Sequence, residues 1–303
     1  MKIIRNLDRA RKFKNPVVAI GVFDGLHLGH KQILKSVART ARDIKGTSIV
    51  ITFYPHPQKE NDIYSLEHRL KLIREIGIGV CFVVSFNKAF ENMEPEEFVR
   101  KILVDKISAK YIFVGDNFVF GKRARGNIKL LKDYSSLYGF KVKALKLLSK
   151  NRKAISSTLI RKLIRAGKLR AAEKLLGRRV SILGRVVKGF SLGRRIGFPT
   201  ANINPQHDII PAAGIYAVKI FLNKKEYDGV CYIGNKPTFK LKHERTFIEA
   251  HLFNFKGNIY GRELEIKFIR KIRGDRKFAS IEALVEQIGK DIIFAKKLLS
   301  SPR

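Results

Sequence analysis

Two histidines in a glycine-rich segment are the first side chains of this sequence that could do chemistry. His27 and His30 lie in "GVFDGLHLGH", residues 21–30, directly after a short β-branched run. The Asp-Gly pair at its centre predicts a tight turn. Backbone N–H groups and the positive end of a helix dipole at such a turn can hold an anion, so the segment predicts a phosphate site. The same spacing also suits a metal or an ordinary helix face, although the His-Glu-x-x-His pattern of zinc proteases is absent.

A second set of polar side chains lies in "ISSTLIR", residues 155–161. Ser156, Ser157 and Thr158 are typical helix-capping residues, and Arg161 in the first turn offers a fork suited to phosphate oxygens. The same features also fit an ordinary capped basic helix. This segment is therefore a second candidate for phosphate contact.

The elements that must position these residues alternate between strand and helix patterns in the first half of the chain. "NPVVAIG" predicts a strand over 17–20, and the apolar spacing that follows predicts a helix over 30–43. Four more strand-like runs follow: "GTSIVITFYPHP", "GVCFVVSF", "KYIFVGDNFVFG" and "FKVKALKLL". Between them, "SLEHRLKLIREIG" predicts a helix capped by Ser65, and "EPEEFVRKILVDKI" predicts another. Such alternation predicts a doubly wound, Rossmann-like α/β domain whose ligand lies beyond the carboxyl ends of its strands.

From about residue 180 the pattern changes to short β-rich runs separated by Gly, Asn and Pro. These runs are "RVSILGRVVKGF", "GIYAVKIFLN", "KEYDGVCYIG", "RTFIEAHLFNF" and "RELEIKFIRKI". Their spacing predicts a small antiparallel barrel or sandwich. The tail, "SIEALVEQIGKDIIFAKKLL", predicts one closing helix capped by Ser280. A helix that ends at Gly177 marks the junction between the two halves.

Length and composition predict a globular protein of about two domains. The chain has 303 residues, of which 45% are hydrophobic and 29% charged. No apolar stretch approaches the roughly 20 residues that cross a bilayer, and the N-terminus lacks the apolar core of a signal peptide. Cys81 and Cys231 lie in strand-like runs, which predicts buried free thiols in a reducing cytoplasm. We therefore expect a cytoplasmic protein with no membrane partner.

The charge of the chain is strongly positive. Lys and Arg total 62 against 26 acids, a formal net charge of +36, and between Asp133 and Asp208 the sole acid is Glu173. Such a balance suggests a polyanionic partner. However, the basic residues are scattered through periodic elements and form no tail. We therefore favour a solvated surface first, phosphate-rich small substrates second and nucleic acid third.

Four segments of the first half resemble the adenylyltransferase half of the bacterial bifunctional riboflavin kinase/FAD synthetase family. They are "GVFDGLHLGH", "TFYPHP", "VGDNFVFG" and "ISSTLIR". The second half adds "GRRIGFPTANI", "GIYAV", "GNKPTF", "IEAHLFNF", "NIYG" and "RKFAS" in the order of the family's kinase half. The resemblance implies a Rossmann-like FMN adenylyltransferase domain over 1–178. It also implies an antiparallel β-barrel riboflavin kinase domain with a C-terminal helix over 179–303.

The resemblance further implies two ATP-dependent reactions. Riboflavin is phosphorylated to FMN, and FMN is adenylylated to FAD by a second ATP with release of pyrophosphate. His27 and His30 would donate hydrogen bonds to the phosphates in the transition state of the second reaction. Ser157 and Arg161 would hold the pyrophosphate end, and Asn117 would line the same site. The other nucleotide-binding positions that the family implies are Gly21, Phe23, Asp24 and Gly29.

In the kinase half, the family pattern implies a metal and a general base. Thr200 and Asn202 would hold Mg²⁺ with the nucleotide phosphates, and Glu249 would take the proton of the riboflavin 5′-hydroxyl. The strand alternation puts Glu249 on the face opposite its neighbours Ile248 and Ala250, which also fits a plain solvent-facing residue. The further flavin-kinase positions implied are Gly197, Pro199, Arg273 and Phe278.

Three positions depart from the family pattern, and two other interpretations stay open. Asn254 and Asn258 stand where the family often has Asp, and Gly274 stands where an acid is usual. These changes bear on the loops that close over the flavin. One alternative is a nucleic-acid-binding protein on a nucleotidyltransferase-like scaffold, but no stacking motif supports it. The other is an enzyme in which one half has lost its activity. We expect ATP, riboflavin and FMN as partners and do not expect nucleic acid.

Overall fold

The computed structural model describes residues 1–7, 13–58, 61–146, 148–150, 153–189, 193, 196–206, 208–236 and 245–300. The chain forms two compact units, residues 1–157 and residues 158–303. Two of the quoted motifs lie partly outside the described residues, "GNKPTF" at 237–239 and "GRRIGFPTANI" at 194–195.

The first unit is built on a six-stranded parallel sheet. Its strands are β1 (Lys2–Ile4), β2 (Val17–Ile20), β3 (Ser48–Tyr54), β4 (Val80–Ser85), β5 (Tyr111–Gly115) and β6 (Lys141–Leu145). Their order in the sheet is β1-β4-β3-β2-β5-β6, and every neighbouring pair is parallel. The prediction of a Rossmann-like α/β domain is confirmed.

Helices connect these strands. They are α1 (Leu28–Asp43), α2 (Leu66–Glu75), α3 (Lys88–Glu91), α4 (Pro95–Glu97) and α5 (Ile128–Tyr138), with 3₁₀ turns at Asp24–Leu26 and Lys122–Ala124. The predicted cap of α2 is confirmed, because the Ser65 side chain accepts a hydrogen bond from the His68 N–H at 3.1 Å. The helix predicted in "EPEEFVRKILVDKI" forms, but α4 continues into a π-helical segment, Phe98–Lys106. A backbone bond from Ile107 N–H to the Ile102 carbonyl closes its wider last turn.

The central position of β2 explains its sequence. All four residues of β2 are buried, as expected for a parallel strand covered on both faces. The edge strand β6 is largely exposed and carries lysines instead. A short antiparallel pair, β7 (Ser149–Lys150) and β8 (Lys153–Ala154), follows β6.

The second unit is a closed antiparallel barrel with helices. Its strands are β9 (Ser181–Val187), β10 (Ala201–Pro205), β11 (Gly214–Leu222), β12 (Lys225–Lys236), β13 (Arg245–Leu252) and β14 (Glu263–Arg273). Their order around the barrel is β10-β13-β12-β11-β14-β9, with β9 and β10 paired to close it. The sequence left a barrel and a sandwich open, and the structure shows the barrel.

Three helices accompany the barrel strands in sequence. They are α6 (Ser157–Arg165), α7 (Leu169–Leu176) and α8 (Ile281–Ser300). The predicted caps are confirmed, since Gly177 ends α7 in the left-handed conformation and Ser280 Oγ accepts from Ala283 N–H at 3.2 Å. Through Ala295, α8 packs on Ala217 and Phe253 of the barrel unit.

The division between the two units falls at residue 157, and α7 lies wholly in the second. The domain boundary after residue 178 therefore stays a prediction. Of the helices in the described ranges, none combines the length and the hydropathy that a membrane-spanning segment needs.

Candidate active sites

A cavity of about 360 Å³ lies at the carboxyl ends of the parallel strands in the first unit. Residues after β2, β5 and β6 line it together with the start of α1. From β2 the chain runs to β3 and β4 on one side, whereas β5 and β6 lie on the other side. The order of the strands therefore reverses between β2 and β5, and ligands of open α/β sheets bind at such a switch point.

Most of the predicted nucleotide-binding residues line this cavity. They are Gly21, Phe23, His27, Gly29, His30, Asn117 and Ser157. Asp24 is buried beneath the turn. Arg161 is buried in α6 within the second unit. The structure also adds Lys146 to the lining, directly after β6.

The two histidines form one stacked pair at the start of α1. His27 is the N-cap of α1, and its Nδ1 accepts the backbone N–H of His30 at 3.4 Å. The imidazole rings stack with centroids 3.6 Å apart and planes inclined by 20°. An Nδ1 that accepts a hydrogen bond leaves the proton of a neutral ring on Nε2. His27 can thus act as an N–H donor in the cavity while its other nitrogen holds the helix start.

Gly29 accommodates this stacked pair. A Cβ atom at position 29 would lie 3.3 Å from Cε1 and Nδ1 of His27. Glycine at this position therefore leaves room for the imidazole of His27, and its predicted contact with the nucleotide stays a prediction.

The turn between β2 and α1 is held in strained backbone conformations. Phe23 and Leu26 have positive φ values of 54° and 38°, which non-glycine residues rarely adopt. Gly25 also has a positive φ, and a Cβ there would lie 2.8 Å from Cδ1 of Ile63. Such a turn persists only where its surroundings stabilise it.

Arg69 of α2 provides part of that support. It is fully buried, and its Nη1 donates to the carbonyls of Val22 at 3.0 Å and Phe53 at 3.2 Å. Its Nη2 donates to Oδ1 of Asp62 at 3.1 Å. Oγ1 of Thr52 donates to the Val22 carbonyl as well, at 2.8 Å. One guanidinium therefore joins the ends of β2 and β3 directly before the turn.

Asp24 and Ser157 support the other side of the turn. Oδ1 of Asp24 accepts the backbone N–H of Ile63 at 2.9 Å. Oγ of Ser157 donates to the backbone carbonyl of Asp24 at 3.0 Å. Both side chains thus contact the turn itself, and their predicted contacts with the nucleotide stay a prediction.

Asp24, His56 and Asp62 place three potential metal-ligand atoms within 4.8 Å of one another. Nδ1 of His56 accepts the backbone N–H of Gln58 at 3.2 Å, which puts the proton of a neutral ring on Nε2. A protonated Nε2 cannot ligate a metal, and the guanidinium on Asp62 already supplies a positive charge. The group fits a hydrogen-bonded support for the turn better than a metal site.

The second candidate site lies on the barrel, where β10, β12 and β13 are neighbours. Glu249 is opposite Asn202 on β10 and opposite Tyr232 on β12. Oγ1 of Thr200 donates to Oε2 of Glu249 at 3.1 Å. The structure therefore brings the two predicted metal ligands and the predicted base together.

The placement of Glu249 follows from strand alternation. Its neighbours Ile248 and Ala250 are buried in the barrel, while Glu249 is half-buried on the opposite face. Asn202 lies so close to Gly189 that a Cβ there would be only 2.0 Å from its Nδ2. A side chain at position 189 would displace the Asn202 amide.

Two neighbours of Glu249 were missed by the sequence analysis. Tyr232 donates its hydroxyl to Oδ2 of Asp275 at 3.1 Å. Burial, followed by the charge of Asp275, raises the pKa of Tyr232 to about 12, and Glu249 adds to this shift. Tyr232 therefore stays a neutral donor between the base and the segment that contains Asp275. His251 holds the Pro199 carbonyl through Nδ1 at 2.8 Å.

Arg273 is the last residue of β14, and Phe278 follows the strand. Arg273 makes a bidentate contact with the buried carboxylate of Asp291 on α8, because Nε donates to Oδ1 at 3.1 Å and Nη2 donates to Oδ2 at 2.8 Å. Its guanidinium lies 5.6 Å from the ring centroid of Phe278. Of the other predicted positions, Gly197 has a φ of 87° and Pro199 is exposed.

The three departures from the family pattern have local roles. Asn254 adopts a positive φ of 54°, which asparagine tolerates better than most residues. Oδ1 of Asn258 accepts the Tyr260 N–H at 3.0 Å, and the Gly274 carbonyl accepts from Nη1 of Arg273 at 3.0 Å. These contacts order the backbone of the loops.

Comparison with known proteins matches each half to a family. The family model described as FAD synthetase matches residues 10–159, and the one described as riboflavin kinase matches residues 176–299. These matches and the two sites define a two-part nucleotide-dependent transferase.

Curated relatives match nearly the whole chain. The bifunctional riboflavin kinase/FMN adenylyltransferase of Buchnera aphidicola subsp. Schizaphis graminum is 39% identical, over 98% of this chain and 98% of that protein. Those of Haemophilus influenzae and Escherichia coli K12 are 34% and 33% identical, over 99% and 98% of this chain and 100% and 97% of the relatives. This chain belongs to the family of bifunctional riboflavin kinase/FMN adenylyltransferases.

A solved structure has the same fold. A protein from Streptococcus pneumoniae, named as a macrolide-efflux protein, superposes with a TM-score of 0.85 at 28% identity, over 97% of this chain and 98% of that one. Its printed name refers to another activity, so the likeness adds support for the fold alone.

The contacts of Arg69 lead to a stability prediction. Arg69→Met removes the guanidinium that pairs with the mostly buried carboxylate of Asp62 and bonds the Val22 and Phe53 carbonyls, so we expect the free energy of unfolding to fall by about 3–5 kcal/mol. Adding Asp62→Asn to that variant removes the carboxylate charge, and part of the loss should be recovered. Urea unfolding of the full chain measures both changes.

Arg74→Met is the matched control, because Arg74 lies exposed on the same helix. It should change the stability by no more than about 0.5 kcal/mol. A loss for Arg69→Met no larger than for Arg74→Met would show that Arg69 does not stabilise the turn.

Proposed function

We propose that the cavity at the sheet switch point catalyses FMN adenylylation and that the Glu249 site on the barrel catalyses riboflavin phosphorylation. The chain is a bifunctional enzyme of flavin cofactor biosynthesis that makes FMN and then FAD with two molecules of ATP. One observation supports the assignment of the two reactions to two sites: the stacked histidines and the Thr200–Glu249 pair lie in different compact units.

In the adenylylation, a phosphate oxygen of FMN attacks the α-phosphorus of ATP. The bond to the β-phosphate oxygen breaks, and pyrophosphate leaves with the electron pair. No enzyme nucleophile is required, so the protein acts by positioning the phosphates and by stabilising charge. His27 and His30 are suited to this role because their imidazoles line the cavity at the positive end of the α1 dipole.

Other residues of the cavity position the nucleotide. We assign Asn117 and the backbone at Gly21 to nucleotide contact, because both line the cavity at strand ends. Lys146 adds a cation at the same rim. Ser157 lines the cavity as well, and the family pattern assigns it to the pyrophosphate end.

In the phosphorylation, Glu249 accepts the proton of the riboflavin 5′-hydroxyl as that oxygen attacks the γ-phosphorus of ATP, and ADP leaves. A base of this kind contributes roughly 10²–10⁴-fold. The Thr200 hydroxyl orients one oxygen of the carboxylate. Tyr232, which stays protonated, supports the same region through Asp275.

Thr200 and Asn202 are suited to hold Mg²⁺ in this unit. The Thr200 hydroxyl and the Asn202 side-chain amide supply hard oxygen donors beside the Glu249 carboxylate. When bound, the ion neutralises charge on the ATP phosphates.

The flavin is proposed to bind near Gly197, Pro199 and Phe278. Arg273 is held by Asp291 in a fixed orientation beside the Phe278 ring. Asp291 is therefore a positioning residue for Arg273.

We place the protein in the cytoplasm, because the buried cysteines Cys81 and Cys231 are free thiols. Small-molecule substrates are its expected partners.

The first test removes the histidines. His27→Ala with His30→Ala should lower FAD formation from added FMN by about 10²-fold or more, because two donors to the phosphates are lost. FMN formation from riboflavin should stay within about twofold, since the kinase site lies in the other unit. Flavins separated by chromatography give both rates.

The control replaces two exposed residues of the same helix, Gln32→Ala with Lys35→Ala. It should leave both rates unchanged. Equal loss of FMN and FAD formation in a folded histidine variant would contradict the two-site proposal.

The second test is the reciprocal change at the barrel. Glu249→Gln keeps the shape but cannot accept a proton, so riboflavin phosphorylation should fall by about 10²–10⁴-fold. Adenylylation of added FMN should continue. Glu263→Gln, an exposed position on β14, is the matched control, and near-normal phosphorylation by Glu249→Gln would rule out Glu249 as the base.

A further inference from the structure

A basic groove in the second unit lies outside both proposed active sites. It has a volume of about 610 Å³, and its lining comes from α7, the residues that follow α7, β14 and the end of α8. The lining residues are Arg170, Glu173, Lys174, Gly177, Arg178, Arg179, Ile269, Arg270 and Leu298. None of them belongs to the residues proposed for either reaction.

The charge of this groove is concentrated. Five of its side chains are cationic and one, Glu173, is acidic. Glu173 is the sole acid between Asp133 and Asp208 in the sequence. Most of the lining residues of the groove therefore come from this acid-poor segment of the sequence. Neither of the proposed flavin reactions uses them.

The one acid does not neutralise the groove. Oε2 of Glu173 is paired with Nη1 of Arg179 at 2.6 Å. Nε of Arg179 is buried and has no hydrogen-bond partner in the described part of the chain. Arg170, Lys174 and Arg270 are exposed, so they repel one another across the groove unless an anion lies between them.

The dipole of α7 does not account for this arrangement. Cations near a helix C-terminus gain only about 0.3–1 kcal/mol each, and the effect is confined to the last turn. Arg170 lies in the first turn of α7, and Arg270 lies on β14. A bound anion accounts for cations that converge from separate elements.

The remaining lining residues indicate the chemistry of the ligand. Among the described residues, the groove lining includes no aromatic side chain, and its large apolar residues there are Ile269 and Leu298. It therefore offers no platform for stacking a base or a flavin ring. Its volume lies in the ordinary range for small-molecule sites, and arginine forks favour phosphate oxygens.

We propose that this groove is a binding site for a compact oligophosphate anion, separate from the two nucleotide sites. Arg170, Lys174 and Arg270 contact the phosphates, and Arg179 closes the inner end of the groove. The groove binds the phosphates of this anion without contacting a nucleobase.

The test compares the wild type with two charge-reversed variants of the full chain. Arg170→Glu with Arg270→Glu removes the net positive charge of the groove lining, and Lys129→Glu with Lys132→Glu makes the same charge change on exposed positions of α5. Binding of sodium tripolyphosphate is measured by calorimetry at about 0.15 M salt, where long-range attraction is screened. A labelled single-stranded oligonucleotide is titrated in parallel.

We expect a tripolyphosphate binding component that the groove variant weakens by about tenfold or more and the α5 variant preserves. The rates of FMN and FAD formation should be equal in all three proteins, which separates this result from any failure of the proposed active sites. If tripolyphosphate binding is the same in both variants, the proposal is wrong. The proposal is also wrong if the groove variant weakens oligonucleotide binding and leaves tripolyphosphate binding unchanged. In that case the groove is a nucleic-acid surface.

Discussion

The proposed adenylylation site depends on one strained turn, the residues between β2 and α1. Its left-handed residues, Phe23 and Leu26, turn the chain so that His27 both caps α1 and lines the cavity. A turn of this kind is unfavourable in isolation. The buried guanidinium of Arg69 donates to the Val22 carbonyl before the turn, and the carboxylate of Asp24 in the turn accepts the Ile63 N–H. The proposed phosphate donors, His27 and His30, therefore depend for their positions on contacts between the turn and distant segments of the unit.

In the barrel, the strand register positions the residues of the second candidate site. Antiparallel pairing puts Asn202, Glu249 and Tyr232 side by side, and burial of Ile248 and Ala250 fixes which face Glu249 occupies. A one-residue slip of β13 would bury the carboxylate and expose its neighbours. The Thr200 hydroxyl then donates a hydrogen bond to one oxygen of the Glu249 carboxylate. The position of Glu249, the proposed base, is therefore a consequence of the hydrophobic pattern of β13.

The sequence predicted the architecture because it follows local patterns, whereas most of the cavity residues were predicted from the resemblance to the family. Strand and helix periodicities, the Ser65 and Ser280 caps and the Gly177 stop are all visible in short windows. Contacts between distant segments, such as the hydrogen bonds of Arg69 to two strand ends, were not predictable from short windows. One signal existed, since Arg69 falls on the apolar face of α2, where a charge requires a buried partner. The identity of that partner depends on tertiary structure.

The central claim is that one chain holds two separate sites that act in sequence. The most direct measurement incubates the protein with riboflavin, ATP and Mg²⁺ and follows flavins, ADP and pyrophosphate together. The account predicts that FMN rises first and FAD follows, with one ADP and one pyrophosphate released for each FAD, because each site cleaves a different bond of ATP. Formation of FAD from riboflavin without any ADP, or of FMN with no onward FAD and no pyrophosphate, would contradict it.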